Sequence, residues 1–180
     1  LTQSTTGFPY VIVGDVTVFD NCTLTIPPGE IIKLTGTTSG IQSNGTIDAQ
    51  GANEQPIIFT SFLDDSYGGD LNGDGDATSP APGDWEGILL NGTYDNDGNG
   101  FFDHCVIRYG GISNNSYSGI NFNQSDSAFI KNSVVEYSLF DGLRSIHSAV
   151  LIKGNTFNEN TRYGITIGGS TVPNLGQNNL

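Results

Sequence analysis

The second half of the chain repeats one short pattern three times: FDHCVI at residues 102–107, IKNSVV at residues 130–135 and IKGNTF at residues 152–157. Each copy begins and ends with an apolar residue and carries a small or polar residue at its fourth position. A glycine followed by an aliphatic residue recurs at Gly119, Gly142 and Gly164, with spacings of 23 and 22 residues. A period in this range is the signature of a solenoid, in which each repeat packs only against its neighbours.

The spacing of apolar residues within each repeat distinguishes two kinds of solenoid. Leucine-rich repeats also have a period near 22, but they need a leucine-dense consensus. Here Ile, Val and Phe stand two or three residues apart in short runs, which favours strands with aliphatic side chains stacked inside and small residues at the bends. Residues 24–34 and 40–61 contain similar short apolar runs, but with less regular spacing. The sequence therefore predicts an all-β fold, a parallel β-helix of about six coils.

Composition supports a single β domain. The chain has 180 residues, of which 25 are glycine and only 14% are charged, and it contains no methionine. A length of 180 residues is ordinary for one domain. No window carries apolar residues with helical spacing, so a helical bundle is excluded.

The net charge of −13 excludes nucleic acid and anionic membranes as partners, because both require a basic surface. The imbalance is also local, since no Lys or Arg lies between Lys33 and Arg108, whereas ten acids lie between Asp64 and Asp103. We expect a cation to compensate them. No apolar run is long enough to cross a membrane, and we expect a mature, soluble, extracellular protein without membrane insertion.

The spacing of glycines indicates a loop insertion. Gly40 and Gly87 are 47 residues apart, which is about two periods, but residues 64–83 contain almost nothing apolar. We interpret residues 64–83 as a long acidic loop inserted into a β-helix that spans residues 15–168. Residues 1–14 are expected to form an N-terminal strand, cap or assembly segment, and residues 169–180 an incomplete last coil.

Four segments around this insertion resemble a known family: PIIFTS at 56–61, DDS at 64–66, GDLNGDG at 69–75 and PGDWEGI at 82–88. They are similar to right-handed parallel β-helix repeat proteins with a pectate-lyase-like fold, in particular to secreted and surface-attached bacterial members. The resemblance extends over roughly residues 15–168 and implies a right-handed coil. It implies function only weakly, because this fold is shared by lyases, hydrolases, phage tailspikes, adhesins and passive stalks.

Two Asp/Asn/Gly segments have the ligand spacing of the first half of an EF-hand loop, with an oxygen ligand at every second position and glycine at the sixth. The candidate ligands are Asp70, Asn72, Asp74 and Asp76 in the first segment, and Asp95, Asp97, Asn99 and Asp103 in the second. These residues favour Ca²⁺ in a structural role. An ordinary set of solvated turns remains the alternative interpretation.

Neither calcium loop is complete. The twelfth position, where a bidentate Glu belongs, holds Ala81 in the first loop and Val106 in the second. A metal site must therefore take a carboxylate from elsewhere, such as Asp64, Asp65 or Asp84.

An enzymatic function is not expected. A calcium-dependent lyase needs a basic residue to remove the proton beside the uronate carboxyl group, but the bases from Arg108 onward all follow the acidic region. Of the motifs of polygalacturonase-like hydrolases, only the Asp64-Asp65 pair is present. His104 and His147 have no Ser or Cys neighbour that would suggest a nucleophile, and we expect both on the outer face.

The remaining residues of interest are assigned structural roles. Counting coils places Cys22 in the first and Cys105 in the third, about 9–10 Å apart at a strand spacing of roughly 4.8 Å, which is too far for a disulfide. Two buried thiols are expected instead. Trp85 is expected to anchor the end of the insertion in the core, and Tyr109 and Tyr137, at equivalent repeat positions, to stack on each other outside it.

The chain ends suggest how the protein assembles. The coil that begins at Gly164 has only 17 residues and no amphipathic helix to cover it, and residues 10–13 and 16–18 are strand material before the first recognisable coil. Uncovered strand edges invite another strand. The sequence therefore favours a non-catalytic extracellular surface module, a filament, stalk or adhesin subunit that associates end to end with copies of itself. The alternative is a β-helix that binds or cleaves carbohydrate, such as a cell-surface glycan.

Overall fold

The computed structural model describes residues 8–92, 98–112 and 118–180. The short apolar runs form 18 strands, and no helix long and apolar enough for a membrane span is found in these residues. The strands are β1 (Tyr10–Val13), β2 (Val16–Val18), β3 (Thr23–Ile26), β4 (Ile31–Thr35), β5 (Gly40–Ser43), β6 (Thr46–Gln50), β7 (Ile57–Ser61), β8 (Gly87–Asn91), β9 (Asn99–Asp103), β10 (Cys105–Arg108), β11 (Ile120–Asn123), β12 (Phe129–Lys131), β13 (Val134–Glu136), β14 (Leu143–Ile146), β15 (Leu151–Lys153), β16 (Thr156–Asn158), β17 (Ile165–Gly168) and β18 (Asn174–Leu175).

Every third strand belongs to the same sheet, so one coil consists of three strands. Sheet A has the order β1-β4-β7-β10-β13-β16, sheet B the order β2-β5-β8-β11-β14-β17, and sheet C the order β3-β6-β9-β12-β15-β18. Neighbouring strands are parallel throughout. The chain is a right-handed parallel β-helix of six coils, which confirms the predicted fold.

The core consists of side-chain columns that run along the helix axis. In sheet B, strand pairing places one aliphatic residue of each coil directly above the next, because identical register is kept from coil to coil. This column contains Val16, Ile41, Ile88, Ile120, Leu143 and Ile165. Alternation along each strand sends every second side chain inward, so short strands suffice to fill the core.

The bends between strands are made by single residues in the left-handed backbone region. After sheet C, His104, Asn132 and Gly154 have φ of 48°, 49° and 72° at equivalent positions. Such a residue redirects the chain in one step, and Asn and Gly adopt this conformation most readily. Both histidines singled out in the sequence, His104 and His147, lie at such bends on the outside of the coils.

The two cysteines are free thiols in very different positions. Cys105 is buried in β10, the fourth strand of sheet A, rather than in a third coil as the count predicted, because residues 24–61 contain one more coil boundary than that count allowed. Cys22 is exposed, and the prediction that it is buried is wrong, because it lies in the bend between β2 and β3 of the terminal coil.

Residues 62–86 connect β7 to β8 without forming a strand, and they contain the acidic segment 64–83. We call residues 62–86 the acidic lobe. At the N-terminal end of the stack, β1 and β2 pair with β4 and β5 of their own chain. At the other end, β18 pairs with β15.

Candidate metal centre

The acidic lobe is fastened to the outer side of sheet A at both of its ends. Where the lobe begins, the Thr60 hydroxyl donates to Oδ2 of the buried Asp64 at 2.5 Å. Where it ends, the Ser61 hydroxyl donates to Oδ2 of Asp84 at 2.6 Å. Trp85 follows, fully buried in the core, and its Nε1 donates to the Arg108 carbonyl at 2.9 Å. The predicted anchoring role of Trp85 is confirmed.

Three carboxylates of the lobe converge. One oxygen each of Asp65, Asp70 and Asp74 lie within 4.8 Å of one another. Asp70 is held in place by the backbone, because its Oδ1 accepts from the Gly73 amide at 2.7 Å and its Oδ2 from the Gly75 amide at 2.9 Å. Loops rich in Asp and Gly turn back on themselves in this way, since the Asp side chain caps the amides that follow it.

Several oxygens at this cluster lack a hydrogen-bond donor. The Oδ1 atoms of Asp65, Asn72 and Asp74 are inaccessible to solvent and accept no hydrogen bond. An acceptor that is inaccessible to solvent and has no hydrogen-bond donor is unfavourable. Ca²⁺ takes six to eight oxygen ligands from carboxylates, amide carbonyls and water, so these oxygens fit a calcium ion well.

The pKa values of the cluster reflect a concentration of negative charge. Loss of hydration raises the pKa of Asp65 above its ordinary value, and the neighbouring Asp70 carboxylate adds to the shift, while Lys33 opposes it. Hydrogen bonds from the Gly75 and Gly73 amides lower the pKa of Asp70. The folded protein therefore disfavours the ionised form of Asp65.

Part of the compensating positive charge comes from outside the acidic stretch. Lys33 of β4 is fully buried and donates from Nζ to the Gly69 carbonyl at 2.7 Å. Desolvation lowers the pKa of Lys33, and the charges of Asp65, Asp64 and Asp70 oppose that shift. Lys33, which lies 36 positions before Gly69, thus supplies part of the positive charge expected to compensate the acids of the lobe.

Arg108 is the second cation beneath the lobe. Its guanidinium lies 3.6 Å from Asp64 and 3.2 Å from Glu136, measured between nitrogen and oxygen. It also lies over the ring of Tyr109, at 4.7 Å from the centroid. Tyr109 and Tyr137 are stacked at 5.2 Å between centroids with 13° between ring planes, which confirms the predicted stack.

The first predicted loop is only partly assembled at the cluster. Asp70, Asn72 and Asp74 lie together, and Asp65, one of the three candidates named for the distal carboxylate, lies beside them. Asp76 is exposed and lies outside the three-carboxylate cluster. Sequence spacing could not identify Asp65, because the fold of the lobe decides which upstream acid meets the loop.

The second predicted loop is not a loop where the structure describes it. Asp95 and Asp97 lie outside the described residues, while Asn99 and Asp103 are the two ends of β9. Four residues of strand span about 13 Å, so these two side chains are too far apart to bind one ion. Asp103 instead contacts Lys131 at 3.0 Å and His104 at 2.9 Å. The structure thus does not bring Asp103 together with Asn99, and it pairs Asp103 with Lys131 and His104.

A small cavity of about 340 Å³ lies beside the cluster, between the lobe and sheet A. Its lining combines acids, hydroxyls and one aromatic ring, including Asp65, Ser66, Thr78, Arg108 and Tyr109. The spacing of these residues in the sequence does not predict the cavity, because the cavity forms only when the lobe lies against the coils.

Comparison with known proteins agrees with the architecture. A family model described as a pectate-lyase like beta helix domain matches residues 2–138, about three quarters of the chain. No curated protein and no solved structure matches the chain significantly. The repeating coils continue beyond residue 138 through β14 to β18 in unchanged order. The chain belongs to the pectate-lyase-like β-helix family.

Proposed function

We propose that this chain is a non-catalytic extracellular structural module that is stabilised by Ca²⁺ and associates end to end into a filament or stalk. The observation that carries the proposal is the arrangement at the acidic lobe. Three of its acids form one oxygen cluster, and the two nearest cations, the buried Lys33 and the largely buried Arg108, make contacts that hold the lobe to the coils. Because the cluster lies where the lobe is held against the coils, a bound Ca²⁺ would have a structural role.

Asp65, Asp70 and Asp74 would hold the calcium ion, with the Asn72 amide oxygen as a fourth ligand. Ca²⁺ would neutralise the charge that Lys33 only partly offsets, and it would satisfy the oxygens that lack donors. Because the ion would bind the folded lobe and not the unfolded chain, it would stabilise the domain by mass action.

Four of the six Lys and Arg side chains are engaged in contacts within the chain, which supports a non-catalytic module. A lyase base must reach the substrate proton, yet Arg108 is sandwiched between Asp64 and Glu136, and Lys33 is enclosed beneath the lobe. Lys131 is paired with Asp103, and Arg162 is paired with Asp141 through two hydrogen bonds of 2.7 Å.

The cavity beside the cluster favours one alternative, a carbohydrate-binding or carbohydrate-cleaving β-helix. Hydroxyls, carboxylates and a tyrosine are groups that recognise sugars, and they line this cavity together. Its position next to the proposed ion would make such binding dependent on calcium.

Two measurements on the purified chain test the proposal. We expect excess chelator to lower the melting temperature and added Ca²⁺ to restore it, in calorimetry. We expect no unsaturated or reducing product from a panel of acidic glycans, with or without Ca²⁺. Release of either product would overturn the non-catalytic assignment, and a melt that ignores both chelator and Ca²⁺ would overturn the calcium site.

A further inference from the structure

Lys33 is a fully buried lysine that lies between sheet A and the acidic lobe. Its neighbours in β4, Ile32 and Leu34, belong to the hydrophobic core, so alternation along the strand directs the Lys33 side chain to the outer side of sheet A. It is nevertheless 0% exposed, and its Nζ donates to the Gly69 carbonyl of the lobe at 2.7 Å. A buried ammonium group is costly unless opposite charge lies close to it.

That opposite charge comes from the lobe. Desolvation lowers the pKa of Lys33, and the charges of Asp65, Asp64 and Asp70 act against this effect by raising it. Lys33 in turn acts to lower the pKa of Asp65, which desolvation raises. Residues 1–107 contain no other Lys or Arg. Lys33 is therefore a permanent part of the charge balance at the metal centre.

The charges at the metal centre favour a divalent ion. Asp64 is engaged elsewhere, because it accepts from the Thr60 hydroxyl and lies 3.6 Å from the Arg108 guanidinium. The three clustered carboxylates of Asp65, Asp70 and Asp74 carry three negative charges when they are ionised. Lys33 offsets one of these charges and leaves two, which a single divalent cation balances.

We propose that Lys33 determines which ions the metal centre accepts: it is a built-in monovalent cation that matches the three carboxylates to a divalent ion and holds the lobe against sheet A when no ion is bound. The inference rests on the calcium site of the proposed function. It deepens that function, because it names the residue that selects the charge of the ion.

The selectivity follows from Coulomb's law. The repulsion between the fixed charge of Lys33 and a bound ion grows in proportion to the charge of the ion. Lys33 therefore opposes a trivalent ion more strongly than a divalent ion at the same position. Ca²⁺ and Tb³⁺ are suitable probes, because both are hard cations of similar radius that prefer oxygen ligands. Removal of the Lys33 charge should favour Tb³⁺ over Ca²⁺.

The attachment of the lobe is the second consequence. Without a bound ion, the ammonium group of Lys33 supplies both a hydrogen bond to Gly69 and attraction to the neighbouring carboxylates. Hydrogen bonds from charged donors are stronger than those between neutral groups. A chain without this charge should hold the lobe in place only when a metal ion is bound.

Two substitutions of Lys33 separate its charge from its hydrogen bond. Lys33→Met removes both but keeps an unbranched side chain, so the packing of its apolar stem should survive. Lys33→Gln removes the charge but retains an amide that can donate toward Gly69. Lys131→Met is the matched control, because Lys131 lies in sheet C and pairs with Asp103 at 3.0 Å, outside the lobe. Circular dichroism verifies that each variant retains the β fold.

Isothermal titration calorimetry with Ca²⁺ and with Tb³⁺ gives the ratio of the two affinities. Both ions bind the same docked lobe, so the free energy of docking cancels in this ratio. We expect the preference for Tb³⁺ over Ca²⁺ to rise about tenfold in both Lys33 variants, and to remain at the native value in Lys131→Met.

Hydrogen exchange measures the attachment of the lobe. In chelator, amides of residues 65–79 should exchange about tenfold faster in Lys33→Met than in the native chain, because the docked lobe loses a charged hydrogen bond. Added Ca²⁺ should slow this exchange toward the native rate. Equal exchange of the two chains in chelator would overturn the role of Lys33 in holding the lobe.

The ion titrations distinguish failure of this inference from failure of the calcium site. If both ions still bind and the Lys33 variants keep the native preference, the specificity role is overturned and the calcium site stands. A shift in Lys33→Met that Lys33→Gln does not share would overturn the charge argument in favour of the hydrogen bond to Gly69. Loss of all ion binding in both variants would mean that Lys33 builds the site and does not select the ion. A native chain that binds neither ion would overturn both the inference and the calcium site.

Discussion

At the scale of single residues, Asp65 links the sequence motif to a three-dimensional site. The loop that begins at Asp70 has the spacing of a calcium ligand set but lacks its last carboxylate. Asp65 brings a third carboxylate beside Asp70 and Asp74, and desolvation, together with the charge of Asp70, raises the pKa of Asp65. Asp70 has a second role, because it also caps two amides of the loop.

Asp65→Asn should change the melting temperature in opposite directions with and without Ca²⁺. Since the pKa of Asp65 is raised in the folded protein, its ionisation costs stability at pH values above that pKa, and the cost vanishes as pH falls below the ordinary value near 3.8. In chelator at neutral pH, the variant should therefore melt at a higher temperature than the native chain. In excess Ca²⁺ it should melt at a lower temperature, because a ligand is lost.

Asp76→Asn is the matched control for this experiment, because Asp76 belongs to the same motif but lies outside the cluster. We expect its melting temperature to respond to Ca²⁺ as that of the native chain does. If Ca²⁺ raises the melting temperatures of the two variants equally, Asp65 is not a ligand of the ion. A difference between Asp65→Asn and the native chain in chelator that does not shrink toward pH 4 would contradict the charge argument.

At the scale of elements, a ladder of polar side chains holds successive coils in register. At the start of the last three strands of sheet A (β10, β13 and β16), a backbone amide donates to a side chain of the next coil: Cys105 to Ser133 at 3.0 Å, Ser133 to Asn155 at 3.0 Å, and Asn155 to Asn178 at 3.1 Å. The small or polar fourth position of the sequence repeat is thus explained. It satisfies amides that a bend would otherwise leave without partners.

Asn155→Ala should destabilise the domain by about 2–4 kcal/mol, because it leaves two buried backbone groups unsatisfied. The Asn155 side chain accepts from the Ser133 amide and donates to the Ile130 carbonyl at 2.9 Å. Chemical denaturation followed by circular dichroism measures the change in the free energy of unfolding. Asn158→Ala, on the exposed side of β16, should stay within about 0.5 kcal/mol of the native chain. Similar losses in both variants would show that the ladder adds no stability of its own.

At the scale of the whole molecule, the β-helix is nearly one-dimensional, since the strands of each coil pair only with strands of the coils beside it. The middle coils are supported from two sides, whereas the first and last coils are supported from one. The end strands should therefore open locally with the smallest free energy. The proposed end-to-end association would give each end coil a second neighbour, so the free energy of local opening at the ends would rise toward that of the middle coils.

Hydrogen exchange should report that change. In the dilute, monomeric chain, amides of β2 and β17 should exchange faster than those of β8 and β11, which are central in the same sheet. In the assembled native chain, protection of β2 and β17 should rise toward that of the centre, while β8 and β11 stay unchanged. Assembly without added protection at both end strands would place the contact elsewhere.

The sequence by itself determined the coil, because its signals are local. The apolar alternation, the 22-residue period and the small residue at each bend all lie within contiguous segments, and parallel stacking in constant register follows from repeating them. The same locality explains why the burial of Trp85, the Tyr109–Tyr137 stack and the convergence of Asp70 and Asp74 were predictable. Each is fixed by its position within a repeat or motif.

Only the tertiary structure decided what meets across coils and across the acidic lobe. It joined Asp65 to the loop, placed Lys33 against Gly69, and set Asp103 at the end of a strand beside Lys131 instead of in a loop. It also showed that Cys22 lies exposed in an end coil. These outcomes depend on how a long insertion folds back onto a sheet and on which coil is last in the stack. Neither is encoded in local spacing, because contacts between distant segments are selected by packing and charge in the folded chain.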